Sequence, residues 1–305
     1  MAQEPTRLVE HLETTTATTS RAATAKACII ALILAMSKAP KLDSATDEVV
    51  LTAGEASCTI KLFGATVTHY AVNAARPILF LSEKAIVDGS KPIRGGIPLV
   101  FPFFGAGDGT LPSHGFARIN TWTVVKAEAA SATLRLDTRD ITTPWPHHAV
   151  LSYVVELTAE SLKTSLRITN TGSGPFPFQA LLHTYYRVPD AMRLKVGGMN
   201  ACAYIDQVQA GAVHKVEDEI TVSKETDWIV RGVPGSVQLW YGGGESPDVV
   251  IHRGLLLAGA PAPSECVVWN PYIEKAKRMA DFGDDECAFC IVWARARAAR
   301  SADHQ

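Results

Sequence analysis

Three stretches of this 305-residue chain hold side chains that could do chemistry. The first runs from Arg94-Gly95-Gly96-Ile97-Pro98 to Phe104-Gly105 and on through Ser113-His114-Gly115-Phe116-Ala117-Arg118. Its paired glycines and its prolines keep the backbone out of a regular ladder and allow close approach to a ligand. Arg94 and Arg118 frame it. A guanidinium fork suits bidentate recognition of phosphate or carboxylate oxygens, the alternative being two ordinary surface arginines. The second stretch, Phe176 to Val188, sets His183 in an aromatic run, where it is either a satisfied core histidine or a functional one. In the third, Glu274 follows an Asn-Pro turn at the end of the apolar run Val267-Val268-Trp269. Such a turn can present a carboxylate from rigid scaffolding, or merely solvate it.

Other candidate motifs carry less. Six cysteines are scattered along the chain, and Cys287 and Cys290 form a lone CxxC. With no second pair or histidines at ligand spacing, the reading is reduced thiols and no metal site. Gly242-Gly243-Gly244 lacks the GK[ST] ending of a phosphate loop and reads as a turn.

The elements that must position these residues are short strands. Cys58-Thr59-Ile60-Lys61-Leu62, Thr133-Leu134-Arg135-Leu136 and Leu162-Lys163-Thr164-Ser165-Leu166-Arg167-Ile168 alternate with period two and end at turn residues. This pattern predicts half-buried antiparallel strands joined by tight connections. No segment between 48 and 270 sustains a helical apolar period beyond two turns, which argues against doubly wound and barrel α/β folds. The fold class expected is all-β, in one domain over 46–291. Residues 1–45 show no core periodicity and read as an appended, disordered extension. Within it the apolar decamer Ala27–Met36 follows Lys26, so a targeting segment or a partner-binding helix are the other readings, with Met36 a plausible start.

Composition excludes several classes. Lys and Arg number 29 against 31 Asp and Glu, a net charge of -2, which leaves no electrostatic footprint for nucleic acid or an anionic membrane. Hydrophobic residues at 47% are enough for one large core. No apolar run approaches the roughly 18 residues a spanning helix needs.

Together, RGGIPLVFPFFG, HGFAR, LLHTYYRV and VVWNPYIEKAKRMADFGDDE resemble the glucose-6-phosphate 1-epimerase (hexose-6-phosphate mutarotase) branch of the aldose 1-epimerase, galactose mutarotase-like superfamily. The resemblance covers about residues 45–290. It implies an antiparallel β-supersandwich, a hexose 6-phosphate substrate, no cofactor, a cytoplasmic location and a monomer. Matched motif by motif, it makes His183 and Glu274 catalytic and assigns Arg94, His114, Arg118 and Asp206 to substrate binding. Ser113, also assigned to substrate binding, stands where the family has Gln, so its shorter hydroxyl would reach a sugar hydroxyl through a bridging water. The family continues past Ile291 with a Glu-Pro-Gly segment and further core strands. Here the chain ends in Val292–Gln305, an atypical tail in place of the expected closing strand.

The chemistry so implied is interconversion of α and β anomers. One group removes the O1 proton while another protonates the ring oxygen. Glu274 as carboxylate and His183 as imidazolium would fill these roles. Two other readings are a mutarotase for unphosphorylated aldoses, against which the arginine pair argues, and a non-catalytic sugar-phosphate-binding protein, suggested by the altered C-terminus.

Overall fold

Strands form where the period-two pattern places them. In Ser161–Asn170 the buried positions are Leu162, Thr164, Leu166 and Ile168, with half-buried or exposed residues between. The computed structural model describes residues 6–16, 41–43, 47–107, 109–242, 244–283 and 290–297. The decamer Ala27–Met36, Cys28 and Cys287 lie outside them. The described residues hold one short α-helix, α1 (Tyr272–Ala276).

Three sheets make the fold. A small one consists of β2 (Lys41–Asp43), β3 (Glu48–Ala53), β4 (Ala56–Lys61) and β5 (Thr66–Ala71). A ten-stranded sheet runs, in spatial order, β16 (Ile220–Thr221), β13 (Lys195–Gly197), β18 (Ser236–Trp240), β19 (Val249–Leu257), β1 (Thr6–Thr16), β10 (Ser161–Asn170), β9 (Ala149–Leu157), β8 (Ser131–Asp137) and β7 (Thr123–Glu128). Its tenth strand, β20 (Ala260–Pro261), pairs with β19. An eight-stranded sheet runs β15 (Ala212–Lys215), β14 (Ala203–Asp206), β17 (Thr226–Val230), β21 (Glu265–Asn270), β22 (Cys290–Arg297), β11 (Gln179–Leu182) and β6 (Leu99–Val100). In this sheet β12 (Tyr185–Tyr186) also pairs with β22.

The two large sheets share one core. Leu8, Leu162 and Ile251 of the first cluster with Leu182, Tyr186, Val230 and Val268 of the second. Strand alternation puts the intervening residues of the eight-stranded sheet on its other face. There Leu181, Tyr185, Ile229, Val267 and Trp269 form a second apolar cluster with Phe80, Ala276 and Phe282. That outer face is the one that matters below.

Both chain ends depart from the sequence reading. The extension expected to be disordered contributes β1, which lies between β10 and β19 and runs parallel to both, so the sheets are antiparallel except here. Leu8 and Leu12 are buried on its inner side. The apolar period was hidden because the inward position between them is Glu10, a charged residue in the sequence but a buried one in the fold. At the other end the closing strand is not missing. Cys290–Arg297 pairs with β21 on one side and with β11 and β12 on the other. Ala294-Arg295-Ala296-Arg297 continues the two-residue period of Ile291 and Trp293, but with small and charged residues that rarely mark a strand.

Candidate active site

The site begins with a backbone crossing that only glycine permits. Residues 94–96 thread between two other segments. Ser82 N–H donates to Arg94 O, Gly96 N–H to Phe80 O, and Tyr185 N–H to Gly96 O, at 2.7–3.0 Å. Gly96 has φ of 66°, and a Cβ there would stand 2.0 Å from the Val67 carbonyl oxygen. The crossing fixes Arg94 beside Tyr185. The Arg94 fork donates to Asp281 Oδ2 through Nε at 3.1 Å and through a terminal nitrogen at 3.0 Å. Its other terminal nitrogen donates to the Tyr185 hydroxyl at 2.9 Å. Ser82 Oγ in turn donates to the Asp281 carbonyl at 2.8 Å, which ties the fourth corner of the frame.

HGFAR supplies the next group. His114 and Gly115 both have positive φ, 66° and 72°, and a Cβ on Gly115 would meet the Phe101 carbonyl at 2.1 Å. A non-glycine residue held in this region is costly, and such strain collects at functional sites. Gly105 N–H donates to His114 Nδ1 at 3.2 Å, which puts the neutral ring's proton on Nε2. Burial, then the nearby Arg118 and Arg94 charges, pull the His114 pKa down to about 3. Arg118 lies in a one-turn 3-10 helix, Ala117–Ile119, and donates to the Ser113 carbonyl at 2.8 Å. Burial lowers its pKa to about 10, which leaves it cationic at neutral pH. The bond to Ser113 is the one side-chain hydrogen bond Arg118 gives among the described residues, and its unpartnered Nε is shut off from the surface. Ser113 is exposed, and its hydroxyl donates to the Gly105 carbonyl at 3.1 Å.

His183 stands at the centre of these groups. It is 4% exposed, in the link between β11 and β12, and its N–H donates to Pro98 O at 2.9 Å. The ring stacks on Tyr185 with centroids 4.9 Å apart and an 11° interplanar angle. It meets His114 edge-on at 5.5 Å. Burial, then His114, Arg118 and Arg94, hold its pKa well below the usual histidine value. Burial and these cations favour the neutral form of the ring when no ligand is present.

Glu274 and Asp206 lie outside this cluster of contacts. Glu274 is on α1, with a side chain 80% exposed and Lys277 at 3.9 Å. Its helix nevertheless seats Ala276 in the same outer-face cluster as Tyr185. Asp206 is buried, and its carboxylate accepts from Val208 and Gln209 N–H, Gln209 Nε2 and Trp228 Nε1 at 2.7–3.1 Å. In this structure it holds its own turn.

Three residues without an assigned role in the sequence reading join the site. Tyr185 follows His183 by two, the strand spacing that shares a face. Asp281 lies in the MADF run after α1 and carries the partner carboxylate of Arg94. Asp227 is linked by register across the sheet: it pairs with Trp269, Trp269 with Ile291, and Ile291 with Tyr185. At about 4.8 Å per strand this row spans roughly 14 Å. Burial pushes Asp227 up to about 6, against the pull of Lys275 and with Glu225 and Asp206 adding to the rise. A row of carboxylate, indole and phenol, with a buried imidazole and two guanidinium groups at one end, is the makings of a site for a polar, anionic ligand and for proton transfer.

The fold alone does not fix a function, but the family does: it is one of carbohydrate epimerases. The sequence profile described as aldose 1-epimerase matches residues 47–296, and the chain belongs to that family. It is similar to two proteins named "putative glucose-6-phosphate 1-epimerase". The one from Cenchrus ciliaris is 33% identical over 81% of this chain and 77% of its own. The one from Escherichia coli K12 is 27% identical over 80% of this chain and 81% of its own. The crystal structure of a "putative mutarotase" from Salmonella typhimurium shares the fold, with a TM-score of 0.66 and 22% identity over 88% of this chain and 89% of that one.

Proposed function

We propose that this protein interconverts the α and β anomers of a hexose 6-phosphate, with glucose 6-phosphate the first substrate to test. The observation that carries this reading is the pair of guanidinium groups set about a buried imidazole. The names of its relatives point the same way. Glu274 carboxylate takes the O1 proton as the C1–O5 bond breaks, and O5 takes a proton from His183. The open aldehyde rotates about C1–C2, and reversal of both transfers closes the other face. The phosphate dianion lies against Arg118, which gives one side-chain hydrogen bond among the described residues, while Arg94 is already held by Asp281 and Tyr185. Two negative charges beside these cations offset the repulsion on His183 and raise its pKa in the complex, so the substrate's own phosphate charges the acid. Glucose without phosphate leaves that repulsion in place.

Anomer exchange measured by NMR magnetisation transfer tests the reading. Glucose 6-phosphate should exchange much faster than glucose, and His183→Ala should lower the rate by about 10²-fold or more. Equal rates for the two sugars, or a His183→Ala chain with full activity, would remove it.

A further inference from the structure

Glu10 is a buried carboxyl that the reaction above does not use. On β1 it sits in register with Thr164 of β10 on one side and Arg253 of β19 on the other, and it is 2% exposed. Its side chain crosses the space between the two large sheets and accepts a hydrogen bond from Thr184 Oγ1. Thr184, fully buried, lies between His183 and Tyr185. Alternation explains the arrangement. His183 and Tyr185 belong to the outer, site-bearing face, whereas Thr184 and Tyr186 point inward toward β1. Glu10 thus grips, from behind the sheet, the residue between the two stacked rings of the site.

A leucine at this position would extend the apolar row of Leu8 and Leu12, at the cost of leaving the buried Thr184 hydroxyl without its acceptor. A carboxyl buried there carries a desolvation penalty that some bond must offset. The groups facing it are Thr184 and Tyr186 from the opposite sheet, Tyr153 from β9, Thr164 from β10 and Arg253 from β19. Arg253 spends its terminal nitrogens on Pro234 O at 2.8 Å, and at 3.4 Å on Val233 O and Ser264 Oγ. Thr184 is the hydrogen-bond partner that accounts for a carboxyl here.

We propose that Glu10 is a positioning residue for His183, acting through Thr184, so that the N-terminal strand is part of the active-site architecture. The inference rests on His183 being the proton-transfer group of the reaction proposed above. Its test uses the full-length chain and steady-state anomer exchange of glucose 6-phosphate, beside a His183→Ala control. Thr184→Val, which keeps the volume and removes the donor, should lower kcat by about tenfold or more with KM within about twofold. Glu10→Leu should do the same, the double variant should be no worse than either, and Glu10→Gln, which keeps the acceptor, should restore kcat. A structural role alone would lower folded yield or melting temperature without this split or this rescue. If His183→Ala is inactive while Thr184→Val keeps full kcat, the positioning role is refuted and the site reading stands, even should Glu10→Leu fail to fold. If His183→Ala is itself fully active, the inference falls together with that reading.

Discussion

Replacing Glu10 by Gln should change how stability depends on pH, and the size of the change follows from its surroundings. Burial raises the Glu10 pKa from the ordinary 4.5 to about 7, against smaller opposing contributions from Thr184 and Arg253. The fold therefore holds this proton more tightly than the unfolded chain does. Between pH 4.5 and 7 the folded state binds more protons, so the contribution of Glu10 is full below about pH 4.5 and is lost as pH rises through 7. At about 1.36 kcal/mol per pH unit, that gap amounts to roughly 3 kcal/mol. Gln keeps the shape and the acceptor but does not titrate. The two chains should have a fixed stability difference below pH 4.5, and by pH 8 that difference should have moved in favour of Glu10→Gln by roughly 3 kcal/mol. Urea unfolding at half-unit pH steps measures it. The comparison with wild type matters because His114 and His183, with lowered pKa values, impose the opposite slope at acid pH. A difference that stays flat from pH 4.5 to 8 would show that Glu10 ionises freely and is not enclosed as described. A shift in favour of wild type would show that the charge pairs with Arg253 strongly enough to outweigh burial.

Other expectations follow from the same structure. Glu274→Ala should lower anomer exchange of glucose 6-phosphate by about 10²-fold with substrate still bound, read by turnover beside a binding titration. Arg118→Ala should weaken glucose 6-phosphate by more than Arg94→Ala does, roughly 1.5–3 kcal/mol for a lost charge-assisted bond, because Arg118 gives one side-chain hydrogen bond while the Arg94 fork is held by Asp281 and Tyr185. Isothermal titration of both variants with glucose 6-phosphate and with glucose checks it. If protonated His183 is the acid, the alkaline limb of the kcat–pH profile should lie at higher pH for glucose 6-phosphate than for glucose. Deleting residues 1–16 should abolish cooperative thermal unfolding, since it removes a strand paired on both edges and the burial of Leu8 and Leu12, about 1.5–3 kcal/mol each.

Much of the fold was legible because most strands obey a rule that sequence displays. Leu162 to Ile168 and Thr133 to Leu136 alternate cleanly, and each is half-buried as alternation requires. Among the strands that escaped, β1 and β22 are ones whose inward or closing positions carry the wrong chemistry for the rule. Glu10 breaks the apolar period of β1 because its burial is made tolerable by a partner 174 residues away, and no local pattern records that. β22 departs from the family's Glu-Pro-Gly continuation, so the resemblance gives no closing strand there, and its alternating alanines and arginines show no apolar face. Its pairing partners on both sides override that local pattern, as tertiary context does. At both ends, the described residues 6–16 and 290–297 are held by strand pairing that no local pattern announces.

The site divides along a similar line. His183, His114, Arg94 and Arg118 were legible as residue types in unusual backbone settings, and the structure gathers all four. Their charge states were not legible, because a pKa is set by what surrounds a group in space. Arg94 illustrates the point. Burial alone would weaken its proton affinity, yet Tyr185 and Asp281 outweigh burial and raise it. An arginine so neutralised is a poor first contact for phosphate. It is better suited to holding Tyr185 beneath the imidazole, while Arg118, 24 residues further on, keeps a donor for the ligand. On the function proposed above, the two arginines that look equivalent as a framing pair divide the work between orienting His183 and reading the anion. Comparing their alanine variants with both sugars is the experiment that separates the two tasks. Arg94→Ala should slow glucose and glucose 6-phosphate alike through a misplaced ring, and Arg118→Ala should spare glucose. If both variants slowed the two sugars equally, the division drawn from their hydrogen bonds would be wrong.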